Sequence, residues 1–128
     1  MRFQKLKDDI LGHEYSLSIA YVDEKKSQEL NKNYRGKDNP TNVLSFALSK
    51  NSGELVLCPS VIKKEVKAKK FDRNFTDLSM FLVIHGMLHL KGMKHGGTME
   101  KREELYFKKH DKKHTRGNRY GIRNDASR

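Results

Sequence analysis

The sequence predicts an α+β domain in which a small mixed β-sheet packs with helices. Short runs of alternating apolar residues indicate strands, and longer segments with apolar residues three or four positions apart indicate helices. The chain has 128 residues, of which 35% are apolar and 34% charged, so it is long enough for one domain with a modest core. Cys58 is the single cysteine, which excludes an intramolecular disulfide, and we expect it to be a small buried residue.

The first elements are a strand and a helix. Leucine, isoleucine and tyrosine alternate with smaller residues over 16–22 and predict a strand. Asp23 can then cap a polar helix that continues to about Asn33. Leu30 and Tyr34, one helical turn apart, are expected to anchor that helix on the domain.

A β-hairpin is predicted over 43–58. It follows a loop over 35–41, which contains glycine and proline. A turn over 51–53 separates the two strands of the hairpin, and the second of these covers 54–58. Three large apolar residues of the first strand alternate and therefore share one face: Leu44, Phe46 and Leu48.

Two further helices follow the hairpin. Pro59 suits the first position of a helix that runs to about Lys70. The most apolar helix is predicted to start at Thr76 or Asp77 and to continue to about Leu90, and the chain then turns at a glycine.

Thr98 is predicted to cap the last helix, which extends to about His114. The expected domain is 1–114, because no linker or repeat divides it. The residues over 115–128 lose the apolar pattern and carry several arginines, so we expect a basic, mobile tail there.

The net charge of +11 and the pI near 9.8 favour a polyanionic partner, because neutralising phosphates releases condensed counterions. No apolar run approaches the roughly 18 residues that suggest a membrane span. The first residues lack the apolar segment of a secretory signal, which indicates a cytoplasmic protein. We therefore expect a monomer that acts without a membrane and without a small-molecule cofactor.

The most informative pattern is a set of three histidines. His85 and His89 are four residues apart in the most apolar helix, so both imidazoles can reach one cation. Gly92 allows the chain to turn back at the end of the helix and bring His95 round as a third ligand. Three neutral imidazoles suit one Zn²⁺ ion per chain and leave its fourth tetrahedral position open, as in catalytic sites.

The same spacing matches the metzincin pattern H-E-x-x-H-x-x-G-x-x-H at all fixed positions but one. Gly86 stands where those peptidases have the glutamate that acts as general base. A zinc peptidase is therefore disfavoured, although a metal held by three histidines can still act as a Lewis acid.

Two segments together resemble the YbeY family of bacterial endoribonucleases. The first is Asn33-Tyr-Arg-Gly-Lys-Asp-Asn-Pro-Thr-Asn-Val-Leu-Ser-Phe46, and the second is His85-Gly-Met-Leu-His-Leu-Lys-Gly-Met-Lys-His95. The resemblance covers about residues 15–110. It implies a compact α+β fold built around the zinc helix, with the histidines at 85, 89 and 95 as the ligands. The sequence departs from the family pattern at several positions without losing a ligand, for instance at Met93-Lys94.

The resemblance also implies an activity, the hydrolysis of phosphodiester bonds in single-stranded RNA during ribosomal RNA maturation and ribosome quality control. The candidate catalytic residues are Arg35 and the ligand His85. Arg35 matches the family's arginine near the metal, and its planar guanidinium is suited to a phosphodiester. No general base is identifiable, and Glu54 is conceivable but unsupported by spacing.

Two alternatives stay open from the sequence. One is a zinc metallopeptidase-like hydrolase, which the missing glutamate disfavours. The other is a non-catalytic, ribosome-associated RNA-binding protein in which zinc stabilises the fold. The open fourth coordination position argues against this second alternative only in part.

Overall fold

A computed structural model describes residues 3–111 of the chain. A three-stranded sheet is packed with five helices, as expected for an α+β fold. In chain order the elements are α1 (Gln4–Ile10), β1 (Ser16–Tyr21), α2 (Glu24–Arg35), β2 (Val43–Ser49), β3 (Ser52–Leu57), α3 (Pro59–Lys67), α4 (Phe75–Leu90) and α5 (Gly97–His110).

The sheet is mixed, with strand order β1-β3-β2. β3 pairs antiparallel with β2, so the predicted hairpin is present. β3 also pairs in parallel with β1, so the chain crosses over between these two strands. Side chains alternate between the two faces of a sheet. Ser45 and its partner Leu55 point towards α4, whereas Phe46 and its partner Glu54 point to the opposite face. Within 3–111, β2 is a free edge of this sheet.

Helix α4 forms the centre of the core, as the sequence predicts. Its side chains are apolar on most sides, and eight of its residues are buried between the sheet and the helices α1, α3 and α5. A Cβ atom at Gly86 would lie 2.7 Å from Leu55 Cδ2 and 3.0 Å from Ser45 Oγ. Glycine at this position therefore allows the helix to lie closer to the sheet than a larger residue would. Cys58 is buried at the start of α3, as expected.

Several helix boundaries differ from the prediction. Asn74, rather than Thr76 or Asp77, caps α4, and its side chain accepts a hydrogen bond from the Asp77 backbone N–H at 2.8 Å. Thr98 is not the N-cap of α5 as predicted, because this helix begins at Gly97 and has no side-chain cap. Helix α3 ends at Lys67 instead of about Lys70.

Helix α1 was not predicted. It buries Leu6 and Ile10, whose spacing of four residues is helical, against the core. It also holds α5, because Asp9 accepts hydrogen bonds from Lys109 Nζ at 2.8 Å and from His110 Nε2 at 2.9 Å. His110 is thus partly buried and paired, although lysines precede it in the chain.

The predicted tail over 115–128 and the end of the last helix near His114 lie outside the described residues, so the boundary of the domain at 114 stays a prediction. Between residues 3 and 111, no helix combines the length and apolar character needed to cross a membrane.

Replacing Asp9 by asparagine should lower the free energy of unfolding by about 0.5–1 kcal/mol near pH 7, a typical value for exposed ion pairs. The hydrogen bonds from Lys109 and His110 lower the pKa of Asp9 below its usual 3.8. The carboxylate therefore stabilises the fold above the unfolded-state pKa, and this contribution is lost as pH falls through the folded-state pKa. Urea unfolding at pH 7 and at pH 3 measures the difference. A deficit equally large at both values would contradict the ionic origin of the contact.

Candidate metal centre

The three histidines singled out in the sequence converge on one point. Their potential ligand nitrogens all lie within 4.8 Å of one another. His85 and His89 project from the last two turns of α4, and their Nε2 atoms are 3.2 Å apart. His95 completes the cluster, with its ring centroid 5.1 Å from that of His85 and 4.5 Å from that of His89.

The other nitrogen of each helical histidine is already engaged. His85 Nδ1 is hydrogen-bonded to a carboxylate oxygen of Glu103, and His89 Nδ1 is 3.1 Å from the carbonyl oxygen of Met93. When each Nδ1 donates a proton to its oxygen acceptor, both Nε2 atoms carry lone pairs that face each other. Two convergent lone pairs need a cation between them, so the chemistry of the donors fits a metal ion.

Glu103 is the functional residue that the sequence analysis missed. It lies on α5 and is only 5% exposed, and its carboxylate reaches across to α4. A carboxylate behind a ligand histidine fixes the tautomer and the ring orientation, and it raises the basicity of the imidazole. The signal was its place on the buried face of a helix, in register with Met99 and Tyr106. An acidic residue on such a face requires a partner.

The third ligand comes from the turn after α4. Gly92 has φ of 103°, in the region that favours glycine, and its backbone N–H donates to the His89 carbonyl at 2.9 Å. The chain reverses there as predicted and presents His95, which is exposed. Partial burial lowers the pKa of His89, and nearby positive charge on His85 and His95 adds to this effect. The neutral form that binds metal therefore persists to lower pH at His89.

The histidines form part of the wall of an open groove of about 1020 Å³. The groove follows the free edge of β2, and side chains from both faces of the sheet line it. Arg35 lines it as well, 50 positions before His85 in sequence. The two candidate catalytic residues, Arg35 and His85, therefore share one cavity.

Arg35 is the last residue of α2 and not a loop residue as predicted from its Gly and Pro neighbours. Gly36, with φ of 71°, ends the helix. The buried Asn31 amide donates to the Asn39 carbonyl at 2.8 Å and holds the following loop against the helix. In this loop the Asp38 carboxylate accepts a hydrogen bond from Gln28 Nε2 at 2.9 Å. Among the ion pairs of residues 3–111 none involves the guanidinium of Arg35, which is exposed.

No general base lies beside the histidines at either of the two positions where the sequence analysis looked for one, Glu54 and Gly86. Glu54 lines the groove but points to the sheet face opposite α4, where it accepts from Ser18 Oγ at 3.2 Å. The side of α4 at Gly86 faces Leu55 and not the cluster. A glutamate at this position would therefore meet the sheet.

A family model described as "Endoribonuclease YbeY" matches residues 2–116. The chain belongs to the YbeY family. This confirms the resemblance noted from the two sequence segments, and the α+β fold agrees with it. The solved structure of a Thermotoga maritima protein, determined in solution, superposes on this chain with a TM-score of 0.60 at 28% identity, over 98% of this chain and 91% of that one.

Relatives called endoribonuclease YbeY show the same relation. The one from Cupriavidus metallidurans is 36% identical over 107 residues, which cover 80% of this chain and 53% of the relative. The one from Pseudoalteromonas translucida is 43% identical over 89 residues, covering 64% and 57% respectively. The one from Hydrogenovibrio crunogenus is 41% identical over 104 residues, covering 70% and 62%. The chain thus spans between about half and three fifths of the length of these relatives.

Glu103→Gln should weaken metal binding by about 10–100-fold, because the amide cannot raise the basicity of His85 as a carboxylate does. Competition of the purified protein with a chromophoric chelator for Zn²⁺ at pH 7 measures the dissociation constant. Glu104→Gln is the matched control, since Glu104 is exposed and its carboxylate pairs with Arg73 at 3.0 Å. Parental affinity in Glu103→Gln would show that the carboxylate does not support the ligand.

Proposed function

We propose that this chain is a zinc-dependent endoribonuclease that hydrolyses phosphodiester bonds in single-stranded RNA. The observation that carries the proposal is the shared groove, in which an exposed arginine and a three-histidine cluster face the same open space. A phosphodiester needs both a cation that binds its oxygens and a group that activates the attack on phosphorus. The names of the relatives and the net charge of +11 support RNA as the polyanion.

Zinc is the metal that the ligand set favours. Imidazole nitrogens are common zinc ligands, and Zn–N bonds of about 2.0–2.1 Å in a tetrahedral site separate two ligand nitrogens by about 3.3–3.4 Å. The Nε2 atoms of His85 and His89 are 3.2 Å apart, so these two atoms already have the spacing of two corners of such a site. We assign one zinc ion per chain to His85, His89 and His95.

The residues of the chain then take distinct roles. A bound zinc ion supplies Lewis acidity towards a phosphoryl oxygen and lowers the pKa of water. His85 and His89 hold it through Nε2, and Glu103 keeps the proton of His85 on Nδ1. Arg35 binds the non-bridging phosphate oxygens and neutralises the charge that develops on them. The groove orients the RNA strand along β2, so that the scissile phosphate lies between Arg35 and the histidines.

The two alternative functions fit the site less well. A peptidase of the metzincin type needs a glutamate at position 86, where a side chain would meet Leu55 and Ser45 of the sheet. A purely structural zinc is closed off by four protein ligands. Here three histidines line an open groove, and the third of them is exposed. We therefore favour the enzyme, and we place it in ribosomal RNA maturation and ribosome quality control in the cytoplasm, acting as a monomer.

The parent protein should bind one equivalent of zinc and cleave a ribosomal RNA precursor fragment, and His89→Ala should lose most of both. The alanine removes a ligand from a rigid helix that no neighbouring donor replaces. Elemental analysis of dialysed protein and gel assays of RNA cleavage provide the two measurements. Full zinc content in His89→Ala would contradict the ligand assignment, and a zinc-loaded parent that leaves RNA intact would favour the non-catalytic alternative.

Arg35→Lys should retain the fold and zinc but cleave RNA about 10²–10³-fold more slowly, as is typical for loss of one preorganised donor that stabilises developing charge. Lysine keeps the charge but cannot form the two parallel hydrogen bonds of a guanidinium. Single-turnover cleavage at matched zinc occupancy measures the effect. Lys32→Ala, at an exposed position one turn earlier on α2, shows how far cleavage depends on positive charge on this helix, which Arg35→Lys leaves unchanged. Equal rates for Arg35→Lys and the parent would remove Arg35 from the site.

A further inference from the structure

Two large apolar side chains are exposed in the groove itself. Tyr34 is 67% exposed and Leu48 is 66% exposed, and both line the cavity that contains Arg35 and the histidines. Large apolar groups exposed together at a cavity mark a surface that a ligand covers. The metal cluster and the arginine do not account for them.

Tyr34 is held in place by an aromatic neighbour. Its ring contacts Phe46 of β2 edge to face, with the centroids 4.9 Å apart and the planes at 71°. Phe46 is half-buried, and the contact restricts the Tyr34 side chain while most of its surface stays accessible. A restrained and exposed aromatic ring is a surface on which a planar group can stack at low entropic cost.

The charges around this ring select the kind of planar group. Arg35, the next residue in the chain, provides a cation for a phosphate. Glu54 is the β3 partner of Phe46 and points to the same face of the sheet, so its carboxylate repels a phosphate at Tyr34. The groove therefore has a cationic site at Arg35 and, next to it, an aromatic surface at Tyr34 where the carboxylate of Glu54 disfavours anions. A nucleic acid strand alternates anionic phosphates with uncharged planar bases in the same way.

We propose that Tyr34 is a stacking platform for an unpaired nucleobase of the RNA, close to the phosphate that Arg35 binds. This deepens the proposed endoribonuclease function and rests on it. A base that is paired in a duplex cannot stack on the ring, so Tyr34 favours single-stranded substrates. Because every base has an aromatic face, the platform tolerates different sequences.

The test compares Tyr34→Leu and Tyr34→Phe with the parent, all zinc-loaded. Leucine keeps apolar bulk against Phe46 but has no aromatic face, whereas phenylalanine keeps the face and loses only the hydroxyl. Tyr21→Leu is the matched control, since Tyr21 is 60% exposed but lies on β1, the strand farthest from the groove edge. Fluorescence anisotropy with a 2′-O-methyl RNA oligonucleotide measures binding, and cleavage of the unmodified RNA is measured in parallel. Melting temperature and zinc content show that the variants are folded.

We expect Tyr34→Leu to raise the dissociation constant about tenfold, while Tyr34→Phe and Tyr21→Leu bind as the parent does. Oligonucleotides with one abasic site, moved along the strand, should locate the stacked base. At one position the abasic site should weaken binding to the parent and abolish the difference between the parent and Tyr34→Leu.

The outcomes separate this inference from the function on which it rests. If the parent cleaves RNA and Tyr34→Leu binds it equally well, the stacking platform is wrong and the endoribonuclease stands. Equal losses in Tyr34→Phe and Tyr34→Leu would also overturn stacking, because the hydroxyl would then be the group that matters. If binding depends on Tyr34 as described but zinc-loaded parent cleaves no RNA, the platform is supported and the proposed catalytic function fails.

Discussion

The close approach of Gly86 of α4 to Leu55 of β3 determines where the two histidines of this helix can lie. Because position 86 has no side chain, the helix axis approaches the sheet closely, and Ser45 donates a hydrogen bond to the Gly86 carbonyl at 3.2 Å. The apolar side chains of α4 are then enclosed by the sheet and the surrounding helices. The ring nitrogens of the two helical histidines are directed along the remaining open side, next to the edge of β2.

The polar groups behind the ligands depend on that packing in turn. The carboxylate of Glu103 lies among apolar residues, where an ion without a partner costs several kcal/mol. Its hydrogen bond to His85 offsets part of this cost. Arg73 helps to place α5 for the same contact, since its guanidinium lies 4.1 Å from the ring centroid of Phe81 and 4.6 Å from that of Phe107. The cluster is thus supported from behind by α5, the helix that follows the three histidines in the chain.

The parts of the fold and the site that could be predicted were those with a local signal. The spacing of His85, His89 and His95 reflects helix geometry and a glycine turn, both of which operate within eleven positions. Strand alternation located the hairpin for the same reason. Helix α1 is short, and its buried Leu6 and Ile10 were too few to establish a period. Glu103 shares a helix face with Met99 and Tyr106, which the sequence shows, but its contact with His85 and the exposure of Tyr34 result from tertiary packing, which the sequence does not show.

His95 differs from the other two ligands in its mechanical setting. His85 and His89 are fixed on one helix, whereas His95 is exposed and attached through the short turn that follows this helix. In the proposed zinc site this tether would give His95 a high effective concentration at the ion, which would slow escape of the metal without adding contacts. In the proposed zinc site the turn at Gly92 would thus contribute to how long the ion stays bound, while the helix would fix where it lies.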